Sequence, residues 1–175
     1  MKTNFDAEIV GAGPAGSTAS ILLAKAGWRV ALVEKQEFPR RKVCGECVGA
    51  TNIPLLQNLG VGAAFACAAG PELLQVVLLQ GNNNVVADLP PAGDGPWRWG
   101  RALGRETLDS MLLEQARLSG VQVMQPWSLQ AFKGGAGSGW PESLPCVCQS
   151  ARRGPARSCQ HRHRACQLGS LGWSA

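Results

Sequence analysis

Phe5-Asp6-Ala7-Glu8-Ile9-Val10-Gly11-Ala12-Gly13-Pro14-Ala15-Gly16 opens a stretch that runs on through Gly27 to Trp28-Arg29-Val30-Ala31-Leu32-Val33-Glu34, and this stretch decides the fold. A short apolar run leads into a glycine turn, a helix-compatible segment follows, and a second apolar run ends on an acid. That order predicts the first βαβ unit of a Rossmann-like α/β fold that binds FAD or NAD(P). Gly11 permits a tight turn off the first strand, Gly13 lets the backbone approach a pyrophosphate, and Gly16 allows close packing of helix on strand. Pro14 suits the first helical turn, where its missing N–H costs nothing. The N–H groups and positive dipole end of that helix then face the phosphates. Ala12, Ala15 and Lys35 belong to the same binding segment. Glu34 sits where an acid accepts hydrogen bonds from a ribose 2′-hydroxyl and repels a 2′-phosphate, which favours FAD or NAD over NADP.

Working outward, the first helix is expected from Pro14 to Ala26, with Ala15 and Ala19 on its small early face and Ile21, Leu22 and Leu23 thickening the apolar side. Residues 35–48 read as a polar, basic loop, and a short helix is expected around Pro54–Leu59, stopped by Gly60. Leu73–Gln80 and Asn84–Leu89 read as strands joined by the hairpin signal Gly81-Asn82-Asn83. Leu108, Met111, Leu112 and Ala116 recur at helical spacing between Arg105 and Ser119, and Gly120 ends that helix before a strand at Val121–Met124. Both helix–glycine–strand passages suit crossovers onto a mostly parallel sheet. Beyond Lys133 comes a glycine-rich linker, and then a segment with no sustained period.

Composition narrows the function classes. Hydrophobic residues make up 45% of 175 residues, which fits a globular chain, and no apolar run is long enough to span a bilayer. Asp6, Glu8 and Pro14 interrupt what would have to be a signal peptide, so a cytoplasmic location without a disulfide framework is expected. The net charge of +5 resides mainly in the tail, where residues 134–175 carry five arginines and the single acid Glu142. Those arginines could hold polyanions, yet no aromatic residue interleaves them before Trp173, so no specific nucleic-acid partner is expected. No protein partner is inferred either.

Several constellations compete for a role. Cys44 and Cys47 have the spacing of a redox or zinc pair, but no second pair lies near them. Cys146, Cys148, Cys159, His161, His163 and Cys166 supply soft ligands without surrounding apolar residues to fix a geometry, so no metal site is assigned. Trp97 and Trp99 flank Arg98 and suit half-buried loop packing better than a substrate mouth.

Three motifs carry a family resemblance: Gly11–Gly16 with Glu34, Phe38-Pro39-Arg40-Arg41-Lys42-Val43-Cys44-Gly45-Glu46, and Gly104-Arg105-Glu106-Thr107-Leu108-Asp109. Over about residues 5–133 the chain resembles the flavoprotein superfamily of p-hydroxybenzoate hydroxylase, the flavin-dependent halogenases and the geranylgeranyl reductases. The resemblance implies FAD as cofactor, Arg41 and Arg105 as FAD-contacting cations, and Cys44 and Gly45 near the isoalloxazine. It also implies a flavin-dependent monooxygenase using NAD(P)H on a small hydrophobic substrate, with geranylgeranyl reductase-like alkene reduction as the alternative. No catalytic acid or base is assigned. A later Gly-Asp motif and a substrate sheet are missing, which suggests residues 1–133 as the N-terminal part of an FAD-binding domain, incomplete at its C-terminal side. On that reading 134–175 is an irregular basic tail. Ser158–Gln167 can be read one base later as Pro-Ala-Ser-Ile-Ala-Ile-Ala-Pro-Ala-Asn, so the tail is hypothesised to be out of frame, a point the gene's nucleotide sequence decides. A truncated product without activity is the remaining alternative.

Overall fold

The computed structural model describes residues 5–44, 46–132, 146–150 and 158–161, with side chains described up to Leu129. Its elements run β1 (Ala7–Val10), α1 (Pro14–Lys25), β2 (Val30–Val33), β3 (Cys47–Val48), α2 (Ile53–Leu59), α3 (Gly62–Ala68), β4 (Gln75–Gln80) and β5 (Asn83–Asp88). They continue with β6 (Arg101–Ala102), α4 (Arg105–Leu118), β7 (Gln122–Met124), β8 (Trp127–Phe132), β9 (Cys146–Ser150) and β10 (Ser158–His161). The chain divides into two compact units, one of residues 1–37 with 116–175 and the other of residues 38–115.

The first unit is built on a parallel sheet of order β1-β2-β7, in which Val10 pairs with Val33 and Leu32 with Val123. Parallel neighbours require crossovers, and the first is α1, which returns the chain from β1 to β2. Val30, Ala31, Leu32 and Val33 are all 0–2% exposed, as expected of a strand with neighbours on both edges and cover on both faces. Phe5, Ala31, Val33 and Met124 form a core cluster on which Trp127 and Leu129 of β8 pack. β8 opens an antiparallel sheet of order β10-β9-β8, so two strands arise where the sequence shows no period of its own.

The face that α1 buries differs from the expected one. Ala15, Ala19 and Leu22 are exposed, while Ser17, Ser20 and Ile21 are buried. Two serines tolerate this position because each hydroxyl donates to a carbonyl, Ser17 Oγ to Ala12 O at 3.2 Å and Ser20 Oγ to Gly16 O at 2.8 Å. Their small volume still permits close approach to a sheet. The helix stops at Gly27, whose φ of +86° is the left-handed conformation glycine adopts without penalty.

In the second unit the apolar core comes from α2, α3 and the start of α4. Ile53, Leu56, Leu59, Val61, Phe65, Leu103, Leu108, Leu112 and Leu113 are buried. The predicted short helix is present at Ile53–Leu59 and ends on Gly60, and a second helix, α3, follows it immediately. Arg101 caps α3: its guanidinium donates to the carbonyls of Gly70 at 2.7 Å, Ala69 at 2.9 Å and Ala66 at 3.4 Å. β4 and β5 form the predicted antiparallel hairpin, but the turn is the pair Gly81-Asn82, and Asn83 already belongs to β5. Gly81 takes φ +58° at the first turn position, where the tight hairpin turns call for glycine. Every residue of β4 and β5 is exposed.

Candidate functional site

The turn between β1 and α1 holds three glycines, two of which have a steric cause. Gly11 has φ +97° and donates its N–H to Val33 O at 2.7 Å, so the chain turns sharply while still tied to β2. Gly16 lies against the Gly11 carbonyl so closely that any Cβ there would collide with it and crowd the Ile9 side chain. Gly13 is the N-cap of α1, with an ordinary extended backbone of φ −73° and ψ −177° that any residue adopts. Backbone conformation therefore does not call for glycine at Gly13.

No side chain caps α1, and no acid lies in its first turn. Ser17 N–H closes the first intrahelical bond, to Gly13 O at 2.9 Å, so the N–H groups before it are those that helix geometry leaves without intrahelical partners. Such an end, with its positive dipole, suits an anion. Ala12 is fully buried, Pro14 is half-buried and Ala15 is exposed in that first turn.

Glu34 closes the turn from the side. Its carboxylate is 3% exposed, with Oε2 accepting from Ala12 N–H at 2.9 Å and Oε1 from Gln36 N–H at 2.9 Å. The backbone of Glu34 is fixed as well, its N–H donating to Met124 O and its carbonyl accepting from Trp127 N–H. The acid at the end of β2 is therefore held at the tip of β1 by the loop it faces. Lys35, the next residue, is exposed.

The second unit holds the other expected site residues. Arg105 opens α4 and directs Nε and Nη2 onto the two carboxylate oxygens of Asp109, at 3.0 and 3.1 Å. This hydrogen-bonded pairing with Asp109 raises the Arg105 pKa above its ordinary value, against the opposing pull of burial. Arg105 Nη1 points to Cys44 Sγ at 3.9 Å. Arg41 is 97% exposed, its Nε 3.8 Å from Glu106 Oε2. Its neighbour Arg40 is the one that turns inward, with Nη2 3.8 Å from Asp109 Oδ2 and its guanidinium over the Phe38 ring. Sequence reading passed over Arg40 and gave Asp109 no role, although Arg105 and Asp109 stand at the i,i+4 spacing that pairs opposite charges on a helix.

Gly45 and the tail's Cys166 and His163 lie outside the described residues. Cys44, Cys47 and Cys67 are exposed and stand outside any disulfide. Among the described residues no group of three or more metal-ligating side chains comes together, and no helix is long and apolar enough to cross a membrane. Trp99 donates its indole N–H to Leu89 O at 3.2 Å and carries the Arg98 guanidinium on its ring, which is loop packing.

A parallel sheet with a glycine turn, an uncapped helix and a terminal acid defines an α/β dinucleotide-binding domain. Residues 4–138 match the model of the FAD binding domain family, and the chain belongs to that family, with FAD as its cofactor. It is 43% identical over 63 residues to a menaquinone reductase of Mycolicibacterium smegmatis, a match covering 36% of this chain and 15% of that protein. It is 34% identical over 122 residues to a tryptophan 2-halogenase of Chondromyces crocatus, covering 67% and 22%. Among solved structures, a flavoprotein/dehydrogenase of Cytophaga hutchinsonii superposes with a TM-score of 0.70 at 25% identity, covering 89% of this chain and 37% of that one. The chain thus spans well under half the length of these relatives. The residues present fit the cofactor: α1 has no side-chain cap at its N-terminus, and the Glu34 carboxylate stands at the β1 turn.

Proposed function

We propose that this chain captures FAD by its adenosine diphosphate half and serves as the N-terminal part of a flavin-dependent monooxygenase acting on a small hydrophobic organic substrate, with NAD(P)H as reductant. The carrying observation is the buried Glu34 carboxylate bonded to Ala12 N–H, which sets an acid and a glycine turn side by side. Gly11 and Gly16 shape the turn, while Gly13 with Ala12, Pro14 and Ala15 admits the diphosphate. Each carboxylate oxygen of a glutamate can accept more than one hydrogen bond, so Glu34 serves both the loop and a ribose hydroxyl. Lys35, Arg41, Cys44, Gly45 and Arg105 complete the assigned set. The bound flavin would supply hydride uptake and oxygen activation, and the chain's own residues bind and orient it.

Selectivity between flavins tests the capture step. FAD should bind at least tenfold more tightly than FMN, which lacks the adenosine half; equal affinity would remove the ribose and diphosphate assignment. A flavin-loaded chain that couples NAD(P)H oxidation to oxygen uptake and hydroxylated product supports monooxygenation. The likeness to a digeranylgeranylglycerophospholipid reductase of Methanococcoides burtonii favours a second reading, geranylgeranyl reductase-like alkene reduction, for which turnover should persist without oxygen. Failure to retain flavin would contradict FAD capture by this chain.

A further inference from the structure

Two backbone N–H groups hold the Glu34 carboxylate, and they come from segments of different character. Ala12 N–H reaches Oε2 from the turn after β1, where Ala12 is buried and Gly11 N–H is tied to Val33 O. Gln36 N–H reaches Oε1 from residues 35–37, all of them exposed. The plane of the carboxylate thus depends on where that exposed segment holds Gln36. A tie arrives from far along the chain: Gln125 Nε2 donates to Gln36 O at 2.8 Å. Gln125 follows Met124, whose carbonyl accepts from Glu34 N–H, and precedes by two residues Trp127, whose N–H donates to Glu34 O. Its other amide atom, Oε1, accepts from Nη2 of Arg117 in the last turn of α4, at 2.9 Å. A guanidinium only donates and a carbonyl only accepts, so these two neighbours fix which way the Gln125 amide faces. Glu34, Gln36, Arg117 and Gln125 all belong to the first unit.

We propose that Gln125 is a positioning residue for the acid at the end of β2. By holding the Gln36 carbonyl it keeps Gln36 N–H aimed at Glu34 Oε1, and Arg117 keeps the amide the right way round. A carboxylate set in advance accepts from a ribose hydroxyl without first being ordered, which favours binding of the sugar. The inference rests on the reading of Glu34 as the ribose-binding acid and adds the residues that aim it.

ADP and 2′-deoxy-ADP titrated into the full chain by calorimetry test it, because they differ only in the hydroxyl that Glu34 would accept from. Wild type should prefer ADP by about tenfold, as a hydrogen bond to a charged group allows. Gln125→Met should cut that preference to about threefold or less and leave 2′-deoxy-ADP affinity within about twofold of wild type, whereas general damage to the fold would weaken both nucleotides alike. Gln125→Glu keeps an acceptor for Arg117 but has no donor for Gln36 O, so it should behave as Gln125→Met does. In a Glu34→Ala background, Gln125→Met should change ADP affinity by less than about twofold, since the group it aims is gone. Should Glu34→Ala not fold, the two Gln125 variants decide. A wild-type preference that survives both Gln125 substitutions, equal losses for the two nucleotides, or full additivity with Glu34→Ala would overturn the proposal and spare the ribose reading. A wild type that binds both nucleotides equally would overturn the ribose reading and this proposal with it.

Discussion

Val30-Ala31-Leu32-Val33 and Val76-Val77-Leu78-Leu79 are nearly the same four letters in chemical terms, and the molecule treats them in opposite ways. The first run is β2, flanked by β1 and β7 and sealed from solvent. The second lies in β4, whose only sheet partner among the described residues is β5, and Leu78 and Leu79 are 68% and 77% exposed. The comparison teaches that an apolar run specifies extended backbone, while burial is decided by how many layers and edges meet it. In β2 a continuous run is required because both faces are covered. In the hairpin, Val76, Leu78, Val85 and Ala87 make one sheet face apolar without any cover that the described residues supply.

Substitutions can break or sharpen that contrast. Leu32→Asp should have the largest effect, more than about 4 kcal/mol, because it places an unpaired charge where no water reaches. A urea midpoint close to wild type would refute the sealed-strand description. Asp109→Ala comes next at about 3 kcal/mol, since it removes the buried carboxylate that accepts two hydrogen bonds from Arg105. Gly16→Ala should cost about 1–3 kcal/mol, because its methyl collides with the Gly11 carbonyl, and FAD affinity should fall with it. Arg101→Met removes three hydrogen bonds from the end of α3 and should cost about 1–2 kcal/mol, read as a lower denaturant midpoint and faster amide exchange at Ala66–Gly70. Leu78→Asp should fall within about 0.5 kcal/mol of wild type, and it should raise solubility. A large loss there would show the hairpin to be as buried as β2.

The sequence carried the βαβ unit almost residue by residue, because strand, glycine turn, helix and acid are local signals whose causes are steric. It also carried α2, the hairpin and α4, where period and glycine stops agree. The buried face of α1 was not legible, because serine reads as polar until its hydroxyl is seen returning to a carbonyl. The inward turn of Arg40 beside an exposed Arg41 was equally hidden. Adjacent arginines in a basic loop carry the same local signal, and the one that turns inward lies near Asp109, nearly seventy residues later, and over the Phe38 ring. α3 was missed because Gly62-Ala63-Ala64-Phe65-Ala66-Cys67-Ala68 has a single large apolar residue, Phe65, to mark a face.

The central claim is that Glu34, held at the β1 turn by Ala12, grips the adenosine ribose of FAD. Displacement of bound FAD by ADP-ribose and by its 2′-phosphorylated form tests this most directly. The account predicts that ADP-ribose competes at least about tenfold better, a difference of about 1.4 kcal/mol, because a carboxylate repels the extra phosphate. Equal competition by the two nucleotides would contradict it.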